Sequence, residues 1–430
     1  MKFIHACRRD QPPCGGASLE ALIAPDNEVR LIDAFVDSLS LEKLGFRTDF
    51  PENGRPAYHP TILLKLLVYG YLNRIRSSRC LERECHRNLE VMWLLGQLTP
   101  DHNTIANFRK HNSKAITNVF RNAVRMARQL QLIGGELLAG DSTKLRAQNS
   151  KKNNYNRAKI ARHLLYIEQK LSESNQALAQ ARDAVQVAQL ADNMARHARR
   201  REYYLQLLQQ LQEFGEDQVS TSDPESRQMI IRNTITEVAY NVQATVDARH
   251  CLLIDYQVTN HNDCKAMGNM LRRAKSILRK HSFTALFDKG YYTGTELEIA
   301  QQLGIRTLVA IPAPAAVAPD QAYNLEHFIY DRAKNTYTCP EGHTLTTNGH
   351  VYTKNLNRSN PTSFHQYRTK ACKTCPARTR CTTAKNGKLI ERNLYSPLFE
   401  KNRQNVAANP ELYKRRQAIV EHPFGTIKRQ

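Results

Sequence analysis

Between residues 25 and 112 apolar positions recur at helical spacing. Ile32, Phe35 and Val36 form one stripe, and His59-Pro60 leads into a second made of Ile62, Leu63, Leu66, Leu67 and Tyr71. Proline is tolerated just inside a helix start, because its missing N–H would have no helical acceptor there. Ser77-Ser78 can cap a helix running through Leu81, Cys85, Leu89 and Met92 to Leu95, with Gly96 as its stop. A further short helix begins at Thr104 and carries Ile105, Phe108 and Arg109. These short helices, bearing Arg74, Arg76, Arg79, Arg83 and Arg109, read equally well as a DNA-contacting domain of helix-turn-helix character or as a bundle with a solvated basic face.

From Lys151 to Phe214 the chain has 64 residues without a glycine or proline. Leu164, Ile167, Leu171, Leu178, Ala181, Val185 and Ala188 alternate by three and four, which predicts a heptad seam and hence a helical hairpin or coiled coil. Such an element serves a partner contact or a spacer better than a site. Gly215 to Ser226 is polar and turn-rich and reads as a linker. Strand signals surround this insert. Leu137-Leu138-Ala139 runs into Asp141; Val238, Tyr240, Val242, Ala244 and Val246 alternate with polar residues; Leu252 to Val258 makes a third strand. A helix over 264–281, a strand over 283–287 ending in Asp288, a helix over 294–303 and a strand over 307–311 complete a βββαβαβ order. Pro312-Ala-Pro314 breaks the periodicity, and a helix around 407–420 closes the chain.

Charge narrows the range of functions. The 430 residues carry 62 Lys and Arg against 40 Asp and Glu, a net +22, which points to a polyanionic partner, nucleic acid before an acidic membrane surface. The most apolar stretch, Ile62 to Leu72, is interrupted by Lys65 and falls short of the ~18 residues of a membrane span. Met1 to Arg9 lacks the apolar core of a signal peptide, so the expected location is cytoplasmic. The excess charge concentrates in Thr353 to Asn393, with ten basic residues and only Glu391 opposing them, and in the last thirty residues, with seven against Glu411 and Glu421. Both stretches suit phosphate. Ten irregularly spaced cysteines do not form a secreted disulfide framework. Four of them, Cys339, Cys372, Cys375 and Cys381, form a late group that suits either a structural zinc ion or reduced packing thiols.

Two acids stand where strands meet chemistry. Asp141 lies near the middle of the first strand and Asp288 at the end of the fourth, and strands one and four are neighbours in a mixed sheet of this order. Two carboxylates in an apolar setting raise each other's pKa unless a divalent cation lies between them. A pair of Mg²⁺ ions about 4 Å apart can activate water and stabilise the leaving oxygen of an in-line phosphodiester displacement. The third acid such a site needs is offered by Glu421 in the closing helix. Taken singly, each of these acids reads as an ordinary turn or cap residue.

In company these residues resemble the DDE transposases of bacterial insertion sequences. The resemblance runs along nearly the whole chain, through Gly54-Arg-Pro-Ala-Tyr-His-Pro60, Ile75-Arg-Ser-Ser-Arg79, Pro100-Asp-His-Asn-Thr-Ile105, Asp141-Ser-Thr-Lys144, Tyr240-Asn-Val-Gln243, Asp288-Lys-Gly-Tyr-Tyr292 and Glu421-His-Pro-Phe-Gly425. It implies an α/β fold: a ribonuclease H-like mixed sheet with a helical N-terminal domain, a coiled-coil or helical insertion and a Cys-rich basic insertion. The expected divisions are a helical DNA-binding domain over 1–130, the first part of the catalytic core over 131–314 with its insertion at 151–226, the basic insertion over 315–396, and the closing helix over 397–430. Asp141, Asp288 and Glu421 are then the catalytic and metal-binding acids, for two Mg²⁺ ions or Mn²⁺ in their place. Tyr413, Arg416 and Lys428 match the family signature around the last acid, and with Arg76, Arg79 and Arg109 they are the expected DNA contacts.

The partners implied are double-stranded DNA, as terminal inverted repeats and target, and a second copy in a homodimer on DNA. The implied location is the nucleoid of a bacterial cytoplasm. The implied chemistry is cleavage at the element's ends and attack of the freed 3′ hydroxyl on target DNA. The Tyr291-Tyr292 pair suits either stacking on an unpaired base or a core position. Arg416 precedes Glu421 by five residues where the commoner spacing is four, and Pro423 predicts a helix end or kink at Glu421. The close of the chain at Gln430 reads as a C-terminal truncation, which keeps a second reading open: an inactive or repurposed DNA-binding protein derived from a transposase.

Overall fold

The computed structural model describes residues 3–10, 16–49, 56–232, 235–313, 317–355 and 361–429. Cys14, Gly54-Arg55 of the first family string and Pro314 lie outside them. The chain divides into two compact units, Met1–Gly134 with His422–Gln430, and Gly135–Glu421.

The first unit is helical: α1 (Leu19–Leu22), α2 (Glu28–Asp37), α3 (Leu41–Leu44), α4 (Pro60–Leu72), α5 (Ser78–Arg87), α6 (Leu89–Leu95), α7 (His102–His111) and α8 (Ser113–Gln129). Helix α4 is buried nearly all round, so its one charge must be matched: Lys65 Nζ donates to Asp33 at 2.6 Å and pairs with Asp37 at 2.8 Å. Asp33 also receives both terminal nitrogens of Arg9. The single helix expected through Leu95 is in fact two, because Asn88 adopts an extended backbone and its side chain accepts the N–H groups of Glu90 and Val91. A cap of this kind satisfies donors that a helix start leaves unpaired. Gly96 ends α6 at φ +58°, where a Cβ would also meet Ala6 Cβ at 2.7 Å.

The second unit opens with β1 (Leu137–Arg146). The insert follows as a helical hairpin, α9 (Arg157–Gln180) and α10 (Ala184–Glu213), closed at its base by the antiparallel pair β2 (Asn154–Asn156) and β3 (Gln218–Ser220). Ile160, Ile167, Tyr204, Leu207 and Leu211 form its core. The seam does not run straight through residues 181–188. Helix α9 ends at Gln180, Asp183 caps α10 by accepting the N–H of Val185, and Val185 is exposed.

The sheet continues with β4 (Arg227–Arg232), β5 (Ile235–Asp247), β6 (Leu253–Thr259), β7 (Thr284–Phe287) and β8 (Arg306–Val309), with α11 (Met267–Leu278) and α12 (Gly294–Gln302) between the later strands. Strand β5 is central: β1 pairs with one edge, while β4 takes the first half of the other edge and β6 the second, all antiparallel. On the far side β1, β7 and β8 run parallel. This is the mixed α/β sheet expected, with β4 as an addition. Beyond it, β9 (Ile329–Asp331), β10 (Thr336–Thr338), β11 (Thr344–Lys354), β12 (Thr362–Arg368) and β13 (Ile390–Asn393) form a separate antiparallel sheet, with α13 (Arg378–Cys381) after β12. Helices α14 (Ser396–Ala407) and α15 (Pro410–Arg429) follow.

Helix α14 also closes the edge of the main sheet. The buried Asn402 side chain accepts the N–H of Val309 at 3.0 Å and donates to its carbonyl at 2.8 Å. Replacing Asn402 by alanine strands both backbone groups, and a cost of about 2–3 kcal/mol is expected. A lower urea midpoint with unchanged slope would record it.

Candidate active site

Asp141 sits in the middle of β1, opposite Ala244 of β5. The parallel pairing of β1 with β7 runs Leu137 to Thr284 and Ala139 to Leu286, so two residues further along it brings Asp141 beside Asp288. Gly140 makes that approach possible: a Cβ there would lie 2.0 Å from the ring of Phe287, which is fully buried. Asp288 leaves β7 as the cap of a short 3₁₀ turn, and its carboxylate accepts the N–H of Gly290 at 2.8 Å. Burial pushes the Asp288 carboxyl up, and the negative charges of Asp141 and Asp263 push it further against the opposing Gly290 bond. Protonation on acidification therefore reaches Asp288 at a higher pH than an ordinary aspartate.

Asp263 was not among the residues singled out from the sequence. It lies in the turn after β6 and accepts from Asn241 Nδ2 at 2.8 Å, Gln243 Nε2 at 2.6 Å and Lys144 Nζ at 3.2 Å. Burial alone would raise its pKa, but these donors together with Ser142 hold it below the usual value. Tyr291 is fully buried and donates its hydroxyl to Gln243, a core position and not a free stacking surface. One network thus joins the Asp141–Lys144, Tyr240–Gln243 and Asp288–Tyr292 strings. The signal for it was present in β5: the polar residues that alternate with the apolar ones there, Asn241, Gln243, Thr245 and Asp247, are all buried. A strand polar on a buried face needs partners, and Asp263 is one.

Helix α15 brings two signature residues to the acids. Tyr413 Oη donates to the Phe287 carbonyl at 3.1 Å, and Arg416 Nη1 donates to Asp141 Oδ2 at 2.8 Å. Arg416, expected on phosphate, here neutralises an acid. Glu421 is exposed and receives Gln417 Nε2 at 2.6 Å; among the described residues no hydrogen bond or ion pair joins it to Asp141 or Asp288. Five α-helical residues rotate a side chain by about 140°, which turns Glu421 off the Arg416 stripe. The residue four after Arg416 is the buried Val420. Nor does the helix end at Glu421: it continues through Pro423 to Arg429, with the burial of Ile419, Val420 and Phe424 offsetting the hydrogen bond that proline removes.

In the first unit, Arg76 and Arg79 are exposed, whereas Arg109 folds back to donate to Tyr71 Oη and the Arg76 carbonyl. Lys428 is exposed on α15. No described helix is long and apolar enough to cross a membrane.

Among the described residues no three carboxylate, imidazole or thiol groups already meet the geometry of a metal site. The donor set nevertheless suits a hard divalent cation. Asp141 and Asp288 are half-buried paired carboxylates, Arg416 holds one of them as a positive charge, and among the described residues Asn241 Oδ1 on β5 is buried without a hydrogen-bond partner.

Comparison with known families gives two matches. Residues 17–111 match a transposase domain of the type designated DUF772, and residues 338–430 match a transposase DDE domain. No curated protein and no solved structure matches the chain. The first match covers the helical region from α1 to α7, and the second runs from the Cys339 turn through α15. Transposase domains towards both ends, with a mixed sheet carrying the paired acids between them, support an insertion-sequence DDE transposase.

Proposed function

We propose that this protein is a divalent-metal-dependent DNA transposase that cuts phosphodiester bonds at the ends of its element and joins the freed 3′ hydroxyl to target DNA. The observation that carries the reading is the apposition of Asp141 and Asp288 on adjacent parallel strands, with Arg416 as counter-charge. Asp141 and Asp288 would hold Mg²⁺ or Mn²⁺, and Glu421 would complete the set on reorientation of its side chain and helix turn. The ions, when bound, activate the attacking oxygen and stabilise the leaving one. Arg416, released from Asp141, takes a phosphate oxygen. Asp263 fixes Asn241, Gln243 and Lys144 around the acids, and Tyr413 pins the end of β7 through the Phe287 carbonyl. Arg76, Arg79 and Lys428 supply exposed positive charge for the duplex, which makes binding steeply salt-dependent. The helical hairpin exposes Leu165, Val185 and Phe214, apolar surface that suits contact with a second copy in a homodimer.

The exposed Glu421 favours a second reading, a DNA-binding protein of transposase descent without catalysis. One assay separates the two. Purified protein is incubated with Mg²⁺ and labelled DNA spanning the boundaries of its element. Nicked ends and joined products support the transposase; binding of the ends without any cut strand supports the binder.

A further inference from the structure

The antiparallel sheet β9–β13 has few apolar residues to hold it. Its buried core is Phe328, Tyr337, Leu345, Tyr367 and Ile390, with Cys339 and Cys381 packed against it. Structural units below about 70–80 residues with a core this small are commonly stapled by a disulfide or a metal. Cys339, Cys372, Cys375 and Cys381, all free thiols, line one cavity beside that core.

The two loops that bring them there are built differently. Cys339 opens the β10–β11 turn: its N–H donates to the His343 carbonyl, its carbonyl accepts the N–H of Gly342, and Gly342 takes φ +78°. The turn aims the N–H of His343 at Cys339 Sγ, 3.3 Å away. The other three thiols come from the turn after β12 and from α13, where the N–H of Arg378 donates to the Cys375 carbonyl. Gly387 leaves room for Cys372, since a Cβ at 387 would lie 2.5 Å from the Cys372 Cβ. Lys388 and Arg378 line the same cavity and can balance the two net negative charges of a four-thiolate zinc centre.

We propose that Cys339, Cys372, Cys375 and Cys381 bind one structural zinc ion that staples the β9–β13 sheet. None of the four cysteines lies in a strand, so drawing the sulfurs to about 2.3 Å from the ion leaves the strand pairings as they are. The site is separate from the paired acids, and its presence does not depend on catalysis.

The test uses the full chain, purified under reducing conditions without chelator. Metal analysis is expected to find stoichiometric zinc, and a mercurial is expected to release it in step with modification of these thiols. Growth in cobalt is expected to give the thiolate-to-metal charge-transfer bands of a tetrahedral four-sulfur site. Cys375→Ser is expected to lose the ion; should that variant fail to fold, the release and cobalt measurements on the unaltered protein still decide. Traces of zinc only, an intact mass showing disulfide between these cysteines, or a cobalt spectrum without sulfur bands would overturn the proposal.

Discussion

Asp141→Asn is expected to abolish strand cleavage and joining, a loss of at least about a thousandfold, or ~4 kcal/mol of transition-state stabilisation. The substitution is nearly isosteric, and the amide oxygen can still accept the N–H of Ser142 that now reaches Asp141 Oδ1 at 2.7 Å. What disappears is the negative charge that Arg416 neutralises here and that a divalent cation would neutralise in its place. End binding, measured by gel shift, should persist, because the exposed cations of the helical unit are untouched. Cleavage at the unaltered rate by this variant would sink the catalytic reading and leave the binder.

Asp263→Ala should be the most damaging change for stability, and it should also remove activity. The carboxylate is the common acceptor for Asn241, Gln243 and Lys144, so its removal takes an acceptor from two buried amides and leaves the half-buried Lys144 ammonium with only Ser142 Oγ, at a cost of about 2–4 kcal/mol. Chemical denaturation would measure the loss, and unchanged stability together with unchanged cleavage would refute the role. The pH dependence has a defined sign. Asp263 is held below its unfolded pKa of about 3.9, so its stabilisation is complete above that pH and is lost as pH falls through the lower folded value. Asp288, shifted upward, behaves in the opposite sense: it favours the folded state more as the solution is acidified, while surrendering its capacity to hold a cation.

Much of this site is legible in the sequence. The order of strands, the adjacency of the first and fourth, and the placing of Asp141 and Asp288 follow from two-residue alternation and from acids at strand ends. The helical hairpin followed from a long run without glycine or proline. Other features escaped for physical reasons. Asn88 splits a helix because an Asn side chain caps as readily as it continues, and periodicity alone cannot choose. Strands β9 and β10 have three residues each, too short to display a period. Asp263 sits in Asn260-His-Asn-Asp263, which reads as a polar turn; its importance comes from Asn241 and Gln243, on a strand that precedes it by about twenty residues. Helix α15 continues through Pro423 because burial on its apolar face outweighs one missing hydrogen bond, a balance invisible to a rule about proline alone.

The closeness of Gly140 to Phe287 bears on how related copies should be judged. On the function proposed above, a related copy that keeps all three acids would be taken for an active one. In this fold even an alanine at 140 would collide with a ring that has nowhere to go, and Asp141 would be displaced from Asp288 with every acid still in place. A survey that counts acids would score such a copy as live; one that also reads the residue before the first acid would score it as dead.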